Sequence, residues 1–78
     1  MTEVRYFAAA AEAAGRQGES LAAGTIGELR ALMVDRHGEQ LERVLTTCSL
    51  LVDGVAAEPD TTLGATDVVD VLPPFAGG

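Results

Sequence analysis

The sequence predicts an α+β fold in which a mixed sheet of about four to five strands carries one main helix across one face. Segments typical of β-strands open and close the chain, one capped amphipathic helix lies between them, and an Asp-Gly turn joins two further strand segments. A single amphipathic helix cannot bury its apolar stripe alone, so it must pack across a sheet. With 78 residues, the chain has room for one core.

The first third of the chain predicts a strand, a helical turn and a second strand. Residues 4–8 mix aromatic and β-branched side chains, and their alternation places the even-numbered side chains, Ala8 included, on one face. Phe7 then lies on the other, less buried face. The alanine-rich residues 9–15 could form a helical turn, and residues 20–23 are a weak second strand that returns along the first.

Thr25 begins the clearest local signal in the chain. A Thr at the N-cap with Glu28 three residues later can form the reciprocal capping box that starts a helix. Positive charge suits the C-terminal turn of a helix and Gly38 is a good residue to follow it, so the helix is predicted from Ile26 to His37. Its apolar stripe consists of Ile26, Leu29, Leu32 and Met33.

Strand signals dominate the second half of the chain. Residues 39–45 could form either a second short helix or a packed loop. Residues 46–52 are dense in β-forming aliphatic residues, and the Asp-Gly pair at 53–54 predicts a two-residue hairpin turn into a short strand at 55–56. Residues 68–72 form the final predicted strand, which leads directly into the tail of the chain.

This element order predicts that the first and last strands pair at the centre of the sheet. A hairpin cannot join them, so a parallel central pair is plausible. The resulting architecture is the β-grasp arrangement, which is also seen in ubiquitin. We therefore divide the chain into a β-grasp domain, residues 1–72, and an extended C-terminal tail, residues 73–78.

The charge of the chain excludes some classes of partner. The formal net charge is −7, and an acidic surface repels the phosphate backbone of nucleic acids. No segment is long and apolar enough to span a membrane, and no secretory signal opens the chain, so we expect a cytoplasmic protein without a membrane or nucleic-acid partner. The acidity either attracts a basic protein partner or serves solubility alone.

Reactive side chains are few. All five basic side chains are arginines, so a protein modifier of this sequence could build chains on itself only through its N-terminus. Cys48 is the one cysteine and is interpreted as a small buried hydrophobic residue. His37 is explained by its place at a helix end. A single cysteine and a single histidine support no metal site, and the chain has no phosphate-binding glycine loop.

The tail has a composition of its own. Pro73 and Pro74 cannot donate the hydrogen bonds of a strand and stiffen the chain, whereas Gly77 and Gly78 have no Cβ and fit a narrow channel. Six extended residues reach roughly 20 Å from the last strand. The tail could therefore enter the cleft of a partner, although most glycine-rich ends are simply frayed.

Four stretches together resemble the MoaD-type proteins of the MoaD/ThiS family, the small subunits of molybdopterin synthase. The resemblance covers essentially the whole chain, and its most specific part is the Pro-Pro-x-x-Gly-Gly ending. It rests on Val4-Arg5-Tyr6-Phe7-Ala8, the capped helix from Thr25, the Val52-Asp53-Gly54 turn and the ending Leu72-Pro73-Pro74-Phe75-Ala76-Gly77-Gly78.

The resemblance implies a ubiquitin-like sulfur carrier whose chemistry takes place on the carboxylate of Gly78. A MoeB-like activating enzyme would use ATP to adenylate this group, and a sulfur donor protein carrying a persulfide would convert it to a thiocarboxylate. Activation is needed because a terminal carboxylate is an anion at neutral pH and a poor electrophile. The tail would then enter a MoaE-like large subunit, which supplies the pocket, so this chain is a sulfur donor that binds no cofactor itself.

The resemblance also implies partner-binding residues at the root of the tail and along it. Gly77 would give access to the channel. The remaining candidates are Phe7, Leu72, Pro73, Pro74, Phe75 and Ala76. Core packing is the alternative role for Leu72, and the sequence leaves open whether Phe7 and Phe75 are exposed.

Two departures from the family pattern lie outside the tail. Residues 8–11 are alanines where the family often has a basic residue, and residues 64–67 lack the more usual Asp-Gly-Asp sequence. Three other functions stay open: a sulfur carrier for thiamine or cysteine biosynthesis, a ubiquitin-like protein modifier, and an interaction module with an inert tail.

Overall fold

The computed structural model describes residues 1–73, and the prediction that residues 74–78 belong to an extended tail lies outside this range. The described chain forms five strands and three helices. In order, these are β1 (Thr2–Tyr6), α1 (Ala9–Ala14), β2 (Gly18–Leu21), α2 (Ile26–His37), α3 (Glu39–Leu45), β3 (Ser49–Val52), β4 (Val55–Ala56) and β5 (Val68–Leu72).

The strands form one mixed sheet with the order β2-β1-β5-β3-β4. β1 and β5 are parallel at its centre, with Val4 opposite Val69 and Tyr6 opposite Val71. The other neighbouring strands are antiparallel. The predicted β-grasp arrangement with a parallel central pair is confirmed.

One face of the sheet is buried under the helices. Alternate residues of β1 and β5 point towards the helices, and α3 contributes a fully buried leucine, so residues 39–45 form a helix that helps to close the core. The largest fully buried apolar side chains are Val4, Leu29, Met33, Leu41, Val69 and Val71. Among the helices of residues 1–73, none covers the opposite face of the sheet.

Helix α2 begins and ends at the predicted residues. The backbone N–H of Glu28 donates to Thr25 Oγ1 over 3.2 Å, and the Glu28 carboxylate accepts from the backbone N–H of Gly24 over 3.1 Å. The glutamate therefore reaches one residue further back than in the usual capping box. At the other end, Gly38 has a positive φ of 84° and its N–H donates to the Val34 carbonyl.

The predicted first and second strands are wrong at their boundaries. β1 begins at Thr2 and ends at Tyr6, and Ala8 is exposed instead of lying on the buried face. Ala8 leaves the strand direction because its backbone has φ 53° and ψ −124°, which turns the chain into α1. β2 starts at Gly18, two residues earlier than predicted, since pairing with β1 sets its position in spite of a poor intrinsic strand propensity.

The second half of the chain follows the prediction closely. β3 starts at Ser49, three residues later than predicted. Thr46 and Thr47 belong to the end of α3 instead, because their hydroxyl groups donate hydrogen bonds to backbone carbonyls of its last turn. Asp53 and Gly54 both have positive φ, as a two-residue hairpin turn between β3 and β4 requires. In residues 1–73, no helix has the length and apolar character needed to cross a bilayer.

Candidate functional site at the tail end of the sheet

The two central strands finish at the same end of the sheet, here called the tail end. Because β1 and β5 are parallel, Phe7 and Leu72 follow Tyr6 and Val71 side by side. The N–H of Phe7 donates to the Val71 carbonyl over 3.2 Å, which extends the pairing by one residue. Three predicted site residues, Phe7, Leu72 and Pro73, are therefore brought together; the others, Pro74, Phe75, Ala76, Gly77 and Gly78, lie outside the described residues.

The open face, which is the sheet face without helices, carries a small apolar surface at this end. Alternation along the strands places Arg5, Phe7, Leu51, Asp70 and Leu72 on it. Phe7 is 40% exposed and is therefore a surface residue. Leu51 and Leu72 are half-buried, so Leu72 contributes to the surface as well as to packing. An exposed aromatic ring beside partly exposed leucines is typical of a protein-binding surface.

An ion pair lies in the middle of the open face. Arg5 Nε donates to Asp70 Oδ1 over 2.6 Å and Arg5 Nη2 donates to Oδ2 over 3.0 Å, in a bidentate arrangement between residues directly opposite each other. The hydrogen bond and charge of Asp70 raise the pKa of Arg5 above its ordinary value. The pair neutralises both charges, so the apolar side chains around it surround no net charge.

The turn after β1 sets the position of Phe7. The Ala10 N–H donates to the Phe7 carbonyl over 3.1 Å, and Ala8 occupies the position of this turn that normally requires glycine. A non-glycine residue with this backbone geometry carries strain. A shallow cavity of about 440 Å³ lies beside the turn and is lined by Arg5, Tyr6, Phe7, Ala8, Ala11 and Gln17.

A second group of residues, the Glu19 cluster, supports the tail end from the helix side. The side chain of Glu19 is only 3% exposed. Its Oε2 accepts hydrogen bonds of 2.6 Å from the Tyr6 hydroxyl and from His37 Nε2. Its Oε1 lies 3.1 Å from Arg36 Nε and 3.4 Å from Arg16 Nη1. One carboxylate thus joins β1, β2 and the end of α2.

The surroundings of Glu19 decide its protonation. Burial alone would raise the pKa of Glu19, but the hydrogen bonds from Tyr6 and His37 and the positive charge of Arg36 outweigh burial and lower it. Burial, followed by the bond to Glu19, raises the pKa of the Tyr6 hydroxyl. Glu19 is therefore an ionised acceptor that holds the tail end together.

Sequence reasoning missed the Glu19 cluster. The sequence explains His37 by its place at the helix end alone, whereas its ring also bonds Glu19 and packs edge-on against Tyr6, with ring centroids 5.9 Å apart. Glu19 and His37 are 18 positions apart, so no local pattern connects them. The second strand is predicted to begin at residue 20, so the sequence does not place Glu19 in a strand, and only the observed pairing of β2 with β1 brings it beside the helix end.

Cys48 lies close to the root of the tail. In the antiparallel register, Ser49 is opposite Leu72, which places Cys48 next to the position of Pro73. Its side chain is half-buried and packs against the core. Burial raises the pKa of the Cys48 thiol, so the reactive thiolate is disfavoured.

The chain matches one family model and several solved structures. The model described as the ThiS family matches residues 4–78. A comparison with curated proteins finds no match. Among solved structures, SAMP1 from Haloferax volcanii is 28% identical, with a TM-score of 0.82 and coverage of 99% of this chain and 98% of that chain.

Two further solved structures have names that mention molybdopterin. The putative molybdopterin converting factor, subunit 1, from Pyrococcus furiosus is 27% identical, with a TM-score of 0.82 and coverage of 95% of this chain and 97% of that chain. A chain of the complex of subunits 1 and 2 of the molybdopterin-converting factor from Helicobacter pylori 26695 is 28% identical, with a TM-score of 0.74 and coverage of 99% and 97%.

Proposed function

We propose a specific biosynthetic function for this chain, which belongs to the ThiS family and is a ubiquitin-like sulfur carrier of the MoaD/ThiS type. The proposed function is that of the small, sulfur-donating subunit of molybdopterin synthase in molybdenum cofactor biosynthesis. The observation that carries it is the exposed Phe7 beside Leu72 at the end where β5 leads into the tail. A partner bound to this surface would lie next to the tail.

The proposed chemistry takes place on Gly78 as the carboxyl-terminal residue. On an activating enzyme, a carboxylate oxygen would attack the α-phosphorus of ATP and release pyrophosphate to form an acyl-adenylate, because an unactivated carboxylate is a poor electrophile. The outer sulfur of a persulfide donor would then displace AMP and form an acyl disulfide, and a thiol reductant would cleave the sulfur–sulfur bond to leave the thiocarboxylate. Gly77 and Gly78 suit this role because a narrow channel admits a chain without side chains. This chain would supply sulfur and no catalytic group.

The proposed partner in the final step is a MoaE-like large subunit. The Helicobacter pylori structure with 28% identity is a complex of subunits 1 and 2, which supports such a partner for this chain. The open face around Phe7, Leu72 and the neutral Arg5–Asp70 pair would bind it, together with Pro73, Pro74, Phe75 and Ala76 of the tail. A net charge of −7 favours a partner surface with positive charge around the contact.

A second candidate function is that of a protein modifier. It is favoured by the similarity to SAMP1, a small archaeal modifier protein by name, at 28% identity over nearly the whole chain. In this function an amine of another protein would attack the activated Gly78, and an amide bond would replace the bond to AMP. Both functions use the same activation step and differ in the nucleophile that follows.

One experiment separates these functions. The activated chain is offered a MoaE-like subunit with its cyclic pterin substrate in one reaction, and a lysine-containing protein extract in another. The proposed function predicts a stable complex with the large subunit and transfer of sulfur to the pterin. Amide adducts of the chain on lysines, without sulfur transfer, would favour the modifier. A variant with one residue added after Gly78 is the control and should be inactive in both reactions while remaining folded.

A further inference from the structure

We propose that the outer edge of β2 binds an acidic segment of a partner protein in extended conformation, as an additional strand of the sheet. β2 is an edge strand of the sheet formed by residues 1–73, because only β1 pairs with it. An extended peptide can add a strand to such an edge, where main-chain hydrogen bonds supply affinity and side chains supply selectivity. The proposal goes beyond the proposed function and does not depend on it.

Two residues of β2 direct their backbone hydrogen-bonding groups away from β1. The Tyr6 N–H donates to the Gln17 carbonyl over 2.8 Å, which makes these two residues a hydrogen-bonded pair. Because hydrogen-bonded and non-hydrogen-bonded pairs alternate along an antiparallel ladder, Gly18 and Ser20 belong to the non-hydrogen-bonded pairs. Both residues are exposed, and their N–H and C=O groups bond no other group within residues 1–73. The edge therefore offers two donors and two acceptors at the spacing of a strand.

β2 lacks the features that commonly block an edge strand. Proteins protect such edges with prolines, lysines, bulges, inward-pointing charges or a very short edge strand. β2 has the sequence Gly-Glu-Ser-Leu, and its register with β1 is continuous over these four residues. Its one charged side chain, Glu19, is engaged by groups of its own chain. β4, at the other edge, has only two residues and is soon followed by Pro59, so β2 is the more accessible edge.

Two arginines make the edge of β2 selective for negative charge. Arg36 Nε lies 3.1 Å and Arg16 Nη1 3.4 Å from Glu19 Oε1, and neither arginine forms another ion pair among residues 1–73. Two guanidinium charges against one carboxylate leave one positive charge, even when His37 is neutral. Both arginine side chains are about half exposed, whereas the Glu19 side chain is buried. A guanidinium has several N–H donors, so each arginine has donors left for a second carboxylate.

An added antiparallel strand would bring its side chains to these arginines. A peptide that bonds Gly18 and Ser20 has one residue directly opposite Glu19, in a non-hydrogen-bonded pair. Side chains directly opposite each other point to the same face of a sheet, with Cβ atoms roughly 4.5–5.5 Å apart. Glu19 points to the helix side, because it lies opposite a fully buried residue of β1. An acidic side chain at this peptide position therefore lies beside Arg16 and Arg36 and compensates their remaining charge.

A second copy of this chain fits the edge less well than an acidic peptide does. Antiparallel pairing of two β2 edges about a two-fold axis at Glu19 would set the two Glu19 clusters opposite each other. The remaining positive charges of the two clusters would then repel, and two chains that each carry a net charge of −7 would come together. An acidic segment of another protein meets the positive charge of the edge directly.

The test is an NMR titration of the full, isotope-labelled chain with the peptide acetyl-Thr-Asp-Thr-Glu-Thr-Asp-Thr-amide. The acidic side chains of this peptide lie on one face of an extended strand. The control peptide has Asn and Gln in place of Asp and Glu. We expect the largest shifts and slower hydrogen exchange at the amides of Gly18 and Ser20. The control peptide should bind at least about tenfold more weakly.

Four variants locate the site. Ser20→Pro removes an outward N–H and should abolish binding while the chain stays folded, because this N–H makes no bond within residues 1–73. Ser20→Ala keeps the N–H and removes only the hydroxyl, so binding should persist. Arg36→Gln should weaken binding of the acidic peptide about tenfold. Arg43→Gln breaks the exposed ion pair with Glu39 and should leave binding unchanged. The control peptide and Arg36→Gln test the site independently of Ser20→Pro.

Several results would overturn the proposal. They are the absence of shifts in β2 at millimolar peptide, equal affinity for the two peptides, and undiminished binding by folded Ser20→Pro. Concentration-dependent shifts of Gly18 and Ser20 without peptide, with a doubled mass in light scattering, would assign the edge to a second copy and would also overturn it. None of these measurements needs an activating enzyme or a sulfur donor, so their outcome is separate from that of the proposed function.

Discussion

Arg5 and Asp70 face each other directly across the central parallel pair and form two hydrogen bonds of 2.6 and 3.0 Å. Phe7 and Leu72 stand two residues further along the same two strands, on the same face. Because the two charges neutralise each other, a partner can cover this face at a lower desolvation cost than if either charge were alone. The open face is the basis of the first prediction.

Truncation of Phe7 should weaken partner binding more than it weakens the fold. Phe7→Ala removes an exposed aromatic ring beside the tail root, and we expect the affinity for the large subunit to fall roughly tenfold to a hundredfold. Titration calorimetry measures the affinity, and thermal unfolding checks the fold. Val55→Ala is the matched control, because Val55 is an exposed apolar residue of the edge strand β4; an equal loss in both variants would contradict a specific role for Phe7.

Neutralising Glu19 should destabilise the fold. Glu19→Gln keeps the size of the side chain but removes the charge that His37 and Arg36 share, and we expect a loss of about 1–3 kcal/mol in the free energy of unfolding. Urea denaturation measures it. Glu39→Gln breaks the exposed ion pair with Arg43 and should change stability by less than about 0.5 kcal/mol. Equal effects of the two substitutions would show that the Glu19 cluster contributes no more to the free energy of unfolding than an exposed ion pair does.

The contribution of Glu19 should depend on pH in one direction. Its pKa is lower in the folded chain than the ordinary value of 4.5, so its stabilisation is present above that value and is lost as the pH falls through the folded pKa. The stability difference between wild type and Glu19→Gln should therefore be largest near neutral pH and shrink in acid. Urea titrations at a series of pH values test this, and a difference that grows in acid would be inconsistent with it.

Replacing Ala8 by glycine should stabilise the protein. Ala8 has φ 53° and ψ −124°, which glycine adopts without strain, and relief of about 1–3 kcal/mol is only partly offset by the greater freedom of glycine in the unfolded chain. We expect the free energy of unfolding, measured by chemical denaturation, to rise by about 1 kcal/mol. Ala9→Gly, at the first residue of α1, is the control and should destabilise. A loss in both variants would indicate that Ala8 is unstrained.

The sequence was sufficient to predict most of the fold because its main signals are local. Thr25 and Glu28 start α2 through adjacent contacts, and Asp53-Gly54 supplies the positive φ values of a hairpin turn. The central parallel pair followed from the order of the elements. The exposure of Phe7 was open from the sequence, because alternation gives the face of a strand but not what covers that face.

The errors concern features that depend on tertiary contacts. The shift of β2 to Gly18 follows from its pairing with β1 and not from its own propensities. The positive φ of Ala8 is determined by the need to turn from β1 into α1, and an alanine in the sequence does not indicate such a backbone conformation. The Glu19 cluster joins residues from three elements, so only the folded chain reveals it.

The central claim is tested most directly by the intact mass of the chain after incubation with ATP, a MoeB-like activating enzyme, a persulfide donor and a thiol reductant. A sulfur carrier predicts that one oxygen of the Gly78 carboxylate is replaced by sulfur, which adds the mass difference between these two atoms and disappears when Gly78 is deleted. An unchanged mass, with a donor and an enzyme shown to be competent on another carrier, would contradict the account.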